Sequence, residues 1–230
     1  MSTVTVGRRL DDDGEPVAGT GFEVDPDDEV AEYLRERTSP LYSNPVTEDW
    51  TTELVPAAQT DGEFARGLGI FSPGSAGPPE HYHVGYEESF EVLRGEFAFE
   101  IEGRERRVGP GESVAAPPDT PHSLRNVGDT VGVTRTETRP AARTLDVVTT
   151  QFGLAHDGKL DDDGEPGLMQ GMILAAEMAD DTVFTSPPPA VAVPMAKALA
   201  PVAGLLGYEA TYDEYQRDAF WHDRVEQPDL

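Results

Sequence analysis

The sequence predicts a mainly β protein: an antiparallel, jelly-roll-like β-barrel with an N-terminal extension and a C-terminal α-helical region. Two observations carry this prediction. Short strand-like runs separated by turn residues follow one another between 81 and 139, a pattern typical of a sandwich or barrel. After Pro140 the apolar residues instead recur with helical spacing. We therefore divide the chain into 1–62, 63–140 and 141–230.

The N-terminal extension, 1–62, is expected to hold a short helix and an edge strand. Asp25-Pro26-Asp27-Asp28 combines a capping residue, a proline suited to the first helical turn, and acidic side chains near the positive end of a helix. This pattern predicts a helix that runs to about Arg37. A strand-like run covers 50–55, and a second, from 63 to 71, begins the barrel.

The barrel is assigned to 63–140. Phe97, Phe99 and Ile101 alternate with smaller or polar residues, so one face of this strand is expected to be buried and the other exposed. The strands predicted after the first histidines lie at 88–93, 96–101, 104–108, 113–115, 122–126 and 131–138. We expect them to pair antiparallel.

The C-terminal region, 141–230, is expected to form three helices, over about 145–158, 168–176 and 190–206. They are predicted to pack on the barrel or on a partner subunit. The longest apolar stretch, 187–208, contains five prolines and a lysine, so it suits a buried helix pair better than a membrane span.

Charge and cysteine content exclude several classes of function. The chain has 44 acidic and 17 basic residues and a net charge of -27, which repels nucleic acid and anionic membranes. An acidic excess with few lysines is typical of halophilic proteins. The polar start has no signal-peptide pattern, which indicates a cytoplasmic location. Because there is no cysteine, any metal must be held by histidine and oxygen ligands.

Three histidines and a glutamate form the most informative pattern of the sequence. His81 and His83 are two residues apart, so both point to the same side of a strand. Glu88 follows shortly after. His122 comes after the proline-rich turn 117–121, which can return the chain toward the first two histidines. Three imidazoles and a carboxylate suit a divalent transition metal and leave two octahedral positions open.

With these residues the chain resembles the cupin superfamily. The first cupin motif is present as His81-x-His83-x4-Glu88-x6-Gly95, and the second as Gly111-x5-Pro117-x-Asp119-x2-His122-x3-Asn126. The glycine usual before the second-motif histidine is Asp119 here, a residue type that also tolerates turn conformations. The match covers about 63–139, roughly a third of the chain.

The resemblance implies a single-domain, metal-binding cupin. Its metal ligands would be His81, His83, Glu88 and His122, and they would hold one divalent transition metal per chain: iron, manganese, nickel, cobalt, copper or zinc. A homodimer is also implied, since single-barrel cupins commonly pair through sheet edges and N-terminal segments. The ligand set is similar to that of flavonol-cleaving, quercetin dioxygenase-like cupins.

Three functions remain open at this stage, because a fold constrains chemistry weakly. The first is a dioxygenase-type oxidoreductase acting on a small oxygenated organic substrate, with Glu88 as both metal ligand and proton acceptor. The second is a redox-neutral isomerase or lyase in which the metal polarises a carbonyl. The third is a non-catalytic cupin that binds a metal or a small molecule.

Overall fold

The computed structural model describes residues 3–162 and 164–230. Residues before the cupin motifs form β1 (Val4–Val6), β2 (Phe22–Val24), α1 (Glu29–Glu36), β3 (Tyr42–Asn44), β4 (Asp49–Val55) and β5 (Ala65–Phe71). The strands that follow are β6 (His81–His83), β7 (Glu87–Arg94), β8 (Phe97–Ile101), β9 (Arg104–Val108), β10 (Ser113–Ala116), β11 (His122–Asn126) and β12 (Gly132–Arg139). The chain continues with α2 (Thr144–His156), α3 (Leu168–Met178), β13 (Thr182–Phe184), α4 (Pro189–Leu205) and α5 (Asp218–Arg224).

The fold is built on two antiparallel sheets. One has six strands in the order β10-β7-β12-β5-β4-β3, and the other has five in the order β13-β6-β11-β8-β9. Among the described residues, neither sheet closes on itself and the two sheets do not pair with each other, so the closed barrel predicted from the sequence is replaced by two open sheets. In the described part of the chain no strand pairing joins the sheet edges, but an apolar core forms between the two sheets.

Strands from outside 63–140 complete both sheets. The N-terminal region supplies β3 and β4 to the six-stranded sheet, and the C-terminal region supplies β13 to the five-stranded sheet. In this way β13 covers the edge of β6, the strand that carries the first two motif histidines. The division of the chain into three regions at residues 62 and 140 remains a prediction, because both flanking regions contribute strands to the two sheets.

An apolar core lies between the two sheets. Phe90 and Val92 from β7 pack with Phe99 from β8 and Leu124 from β11, and this cluster is almost fully buried. Burial of side chains of this size is worth about 1.5–3 kcal/mol each, so the cluster strongly favours the face-to-face arrangement. It also fills the interior at one side of the motif histidines, since the rings of Phe90 and His122 are 6.2 Å apart.

A second core attaches α1 to the outer face of the six-stranded sheet. Val30 and Leu34 of the helix pack with Trp50 of β4 and Ile70 of β5. The helix begins at Glu29, later than the sequence pattern predicts. Its capping residue is Asp28, whose carboxylate accepts a hydrogen bond from the Val30 amide. The carboxylate of Asp25 instead accepts a hydrogen bond from the amide of Asp27 in a local turn, so Asp25 does not cap the helix.

The C-terminal helices divide into two groups. Helix α2 packs beside β3, and α3 packs along α4. None of the helices in the described part of the chain has the combination of length and apolar composition that crossing a membrane requires.

Candidate metal centre

The four motif side chains meet between the two sheets. One ligand atom from each of His81, His83, Glu88 and His122 lies within 4.8 Å of the others, and all four residues are buried. His81 and His83 share a face of β6, and His122 on β11 stands directly opposite His81 in the antiparallel register. Glu88 reaches the same point from β7, in the other sheet. Three imidazoles from one sheet therefore face one carboxylate from the other.

Backbone carbonyls orient two of the imidazoles. His81 Nδ1–H donates to the carbonyl of Pro79 at 2.8 Å, and His122 Nδ1–H donates to that of Thr120 at 2.9 Å. Since a carbonyl can only accept, the proton is placed on Nδ1 in both rings, and Nε2 presents its lone pair to the centre in the neutral form. His122 Nε2 nevertheless lies 3.1 Å from Oε2 of Glu88, a contact between two acceptors that only a proton or a cation stabilises.

His83 is oriented differently, by side chains. Its Nε2 lies 2.8 Å from Oε2 of Glu88, and its Nδ1 lies 2.7 Å from the Tyr86 hydroxyl and 3.0 Å from the Thr182 hydroxyl. Both hydroxyls donate to Oδ1 of Asp181, at 3.0 and 2.8 Å. The hydroxyl oxygens are thus left as acceptors for the Nδ1–H of His83, and Nε2 is directed toward the centre.

Sequence reasoning missed this group of three side chains. Tyr86 is buried and stacks on His83 with ring centroids 4.4 Å apart. Asp181 and Thr182 lie almost a hundred residues along the chain, in a segment without a motif, so no spacing could connect them with the histidines. Tyr86, inside the first motif and three residues after His83, was the one available signal.

The electrostatics of the cluster favour an anionic site. Burial raises the pKa of Glu88, but the close contacts of its Oε2 with Nε2 of His122 and His83 outweigh burial and hold this pKa well below its usual range. Burial lowers the pKa of His81 to about 4, so this imidazole is neutral at pH 7. For His122, burial lowers the pKa, but the contact with Glu88 raises it overall. The centre therefore holds an ionised carboxylate that a cation can neutralise.

These observations fit a divalent metal. The donor set of imidazoles and one carboxylate suits iron, copper, zinc, nickel, cobalt or manganese better than magnesium or calcium, which prefer oxygen ligands. Two of the rings have Nε2 directed inward by carbonyl acceptors behind them, as in metal-bound histidines generally. The cluster thus has both the ligand atoms and the supporting hydrogen bonds of a mononuclear centre.

Comparison with known protein families agrees with the geometry. A family model described as a cupin domain matches residues 67–134, a segment that includes all four clustered residues. The chain carries a cupin domain. The match leaves Asp181 and Thr182 outside the domain, so part of the support of His83 comes from sequence that the family pattern does not cover.

Several solved structures are similar to part of the chain. KdgF from Halomonas sp. is 21% identical over 42% of this chain and 83% of its own, with a TM-score of 0.38. A predicted oxalate decarboxylase from Thermotoga maritima is 20% identical over 46% of this chain and 96% of its own, with a TM-score of 0.42. The cupin domain of an XRE family transcriptional regulator from Enterobacter cloacae is 26% identical over 40% of this chain and 95% of its own, with a TM-score of 0.35. No curated protein matches the chain.

The remaining motif positions of the cupin domain are structural. Gly95 and Gly111 have φ of 83° and 79°, and a Cβ on Gly95 would lie 2.8 Å from the Cα of Gly132. Asp119, which replaces the usual glycine of the second motif, adopts φ of 61°. Its amide donates to the carbonyl of His83 at 2.8 Å, so this turn is tied to the ligand strand. Asp119 therefore adopts the left-handed backbone conformation that this turn requires.

Asn126 does not support the metal ligands, although it closes the second motif. Its Nδ2 donates to the carbonyls of Phe71, Ser72 and Thr130 at 2.8–3.0 Å. It therefore ties together the loops at the far end of the sheets.

Two histidines lie outside the centre. His156 Nε2 is 3.0 Å from the Ser43 hydroxyl, and its ring packs edge-on against Trp221. His222 is exposed, and its Nδ1 donates to the carbonyl of Asp218. Neither belongs to the cluster, and His222, because it is exposed, is suitable as a control.

Proposed function

We propose that this cupin is a mononuclear metal-dependent oxidoreductase of the dioxygenase type, acting on a small oxygenated organic substrate. The observation that carries the proposal is the convergence of three buried imidazoles and one ionised carboxylate on a single point between the sheets. A mixed histidine and carboxylate set with open positions is typical of sites that bind a substrate and dioxygen together. Four protein ligands leave two octahedral positions for them.

In this proposal the chain supplies a rigid, polarised set of ligands. His81, His83 and His122 would each hold the ion through Nε2, with Nδ1 fixed by the acceptors behind the ring. Glu88 would be the fourth ligand and the only anionic one. A bound redox-active ion supplies electron exchange between the substrate and dioxygen.

The contacts of Glu88 favour a role as metal ligand over a role as proton acceptor. Both imidazole contacts use the same oxygen, Oε2, and together they hold the pKa of this carboxyl well below its usual range. A carboxylate with a lowered pKa is a weak base at neutral pH, so it would accept a proton only from a substrate that is itself acidified. Its second role, as proton acceptor, stays a prediction that depends on such a substrate.

The surroundings of the centre support a small substrate. Phe90 lies beside His122 on the core side, and the ring centroid of Phe184 on β13 is 6.0 Å from that of His81. Apolar rings therefore border the cluster from both sheets, and the carbon skeleton of a substrate would contact them while its oxygen atoms face the ligands.

A non-catalytic metal-binding cupin is the second candidate, and one observation favours it. The four ligand residues are only 1–7% exposed, and β13 pairs along the whole of β6. A closed centre of this kind suits a structural metal or a tightly held ligand. A redox-neutral isomerase or lyase would use the same ligand set, but unlike a dioxygenase it would not need oxygen.

One experiment separates these functions. Metal content is measured by elemental mass spectrometry on protein purified from molar salt, and oxygen uptake is recorded on the same sample with a flavonol or another enediol-like compound. A redox-active metal near one per chain, with uptake that His83→Ala abolishes and His222→Ala retains, supports the dioxygenase. Product formation without oxygen would assign a redox-neutral enzyme, and bound metal without turnover would assign the binding protein. A metal-free protein that takes up no metal on titration would overturn all three.

A further inference from the structure

Helix α4 exposes an apolar face along its whole length. Val191 and Leu205, near its two ends, are 61% and 89% exposed, and Met195 and Val202 between them are also exposed. The one charged residue of the helix is Lys197. The helix contains no acidic residue, although the chain as a whole has a net charge of -27.

The opposite face of α4 already has its partner. Ala196 and Ala203, seven residues apart, are fully buried, and α4 packs along α3. A surface helix with one such contact normally carries polar residues on its other side, and a helix that is apolar all round is normally buried all round. The exposed face therefore indicates a second contact that a single copy of the chain does not make.

The spacing of the exposed residues indicates what kind of contact this is. Val191, Met195, Ala198, Val202 and Leu205 follow one another at intervals of four, three, four and three residues. This alternation keeps apolar side chains on one line of a helix and is the pattern of a seam between two paired helices. We call these five residues the α4 seam.

The α4 seam is close to symmetric about its centre. Val191 and Leu205 each lie seven residues from Ala198, and Met195 and Val202 lie three and four residues from it. A two-fold interface requires a patch that complements itself, and this arrangement meets that requirement when two helices run antiparallel. The small side chain of Ala198 would allow the two backbones to approach closely at the axis.

Charge also favours a second copy of this chain over other occupants. Two copies with a net charge of -27 repel each other wherever their acidic surfaces meet, and the seam contains no carboxylate. A basic partner would be drawn to the acidic surfaces and would gain nothing from an uncharged seam. An anionic lipid surface would be repelled by the rest of the molecule.

We propose that α4 is a homodimer interface, in which the α4 seams of two copies pack antiparallel about a two-fold axis beside Ala198. Val191 of one copy then contacts Leu205 of the other. This surface differs from the sheet edges and N-terminal segments through which the cupin resemblance implies pairing. The proposal does not depend on the identity of the metal or on turnover.

The first test is the mass in solution, measured by light scattering after size-exclusion chromatography in molar potassium chloride. The wild-type chain should have twice the 24.9 kDa mass of one copy. Val202→Glu places a carboxylate in the seam near the axis and should give single copies, whereas the matched control Val4→Glu, at an exposed valine on β1, should leave the dimer intact. Unchanged metal content and circular dichroism would show that both variants fold.

A second test uses the absence of cysteine from the chain. With a short bis-maleimide reagent, Ala198→Cys should form covalent dimers, and Val4→Cys should not. Leu205→Cys and Val191→Cys should cross-link efficiently only when mixed with each other.

Several results would overturn the proposal. A wild-type chain that stays a single copy at high concentration would do so, and so would a Val202→Glu variant that remains a dimer. Efficient cross-linking of Leu205→Cys to itself would contradict the antiparallel arrangement. A single-copy chain that sediments with phosphatidylcholine vesicles through α4 would assign the seam to a lipid surface instead.

Discussion

Thr182 on β13 stands directly opposite His83 on β6, and its hydroxyl oxygen lies 3.0 Å from Nδ1 of that imidazole. The other two histidines of the centre are supported by backbone carbonyls two residues before them in the chain. His83 alone depends on side chains, and Thr182 comes from beyond the cupin domain. The C-terminal region therefore supplies a side-chain hydrogen bond to one ligand of the candidate metal centre, His83.

Removal of this support should weaken metal binding in a non-additive way. Tyr86→Phe or Thr182→Val alone leaves His83 one hydroxyl acceptor, so each should lower metal affinity only a few-fold. The double variant leaves the buried Nδ1–H without an acceptor, and we expect a loss of about 10–100-fold. Affinity is measured by competition with a chelator.

Thr185→Val is the matched control, because the Thr185 hydroxyl donates to Glu80 and does not contact the cluster. It should bind metal as the wild type does. Equal affinities for the wild type and the double variant would show that Tyr86 and Thr182 only pack against the ligand. Two single variants whose losses simply add would show that the hydroxyls act independently.

Loss of one ligand should abolish stoichiometric metal binding. His122→Ala and His83→Ala each remove an imidazole from a buried set of four, which degrades both the geometry and the charge of the site. Metal per chain after dialysis should fall from near one to near zero, as measured by elemental mass spectrometry. His222→Ala, at an exposed position, should keep the full complement, and metal retained in both ligand variants would place the site elsewhere.

The acidic surface predicts stability that depends on salt. A net charge of -27 is self-repulsive, and the screening length falls from about 10 Å at 0.1 M salt to about 3 Å at 1 M. The melting temperature should therefore rise with potassium chloride well into the molar range. Thermal melts followed by circular dichroism would measure it, and a melting temperature independent of salt would contradict the expectation.

His156 should make stability depend on pH. Burial, assisted by Arg224, lowers the pKa of His156 in the folded chain to about 4, compared with the ordinary histidine pKa of 6.5. Between these values the unfolded chain binds the proton more readily, so stability is fully present above pH 6.5 and is lost as the pH falls toward 4. The shift corresponds to a loss of about 3 kcal/mol.

The variant His156→Gln isolates this contribution, because it retains a polar partner for Ser43 without a group that titrates in this range. Chemical denaturation of both proteins at pH 7.5, 6 and 4.5 gives the difference in free energy of unfolding. Asp49, whose pKa burial raises to about 6, contributes with the opposite sign but equally in both proteins. A difference that stays constant across the three pH values would contradict the assignment.

Local patterns sufficed to predict the strands and the four side chains that the structure brings together. The strands predicted from 88 to 138 agree with the structure to within one residue at each end, because turn residues and alternation with a period of two are local signals. The histidine spacing predicted which side chains would converge for the same reason. His81 and His83 share a face because any strand places residues two apart on the same side.

Tertiary structure alone decided which long-range partners complete the sheets and the centre. Spacing along the chain could not show that β13 would pair with β6, that Thr182 would reach His83, or that the sheets would remain open at their edges. The sequence determined the ligand types, the strand periods and the charge, since these depend on neighbouring residues and on composition. Contacts between distant residues depend on how whole sheets and helices pack, and that packing is a property of the folded chain.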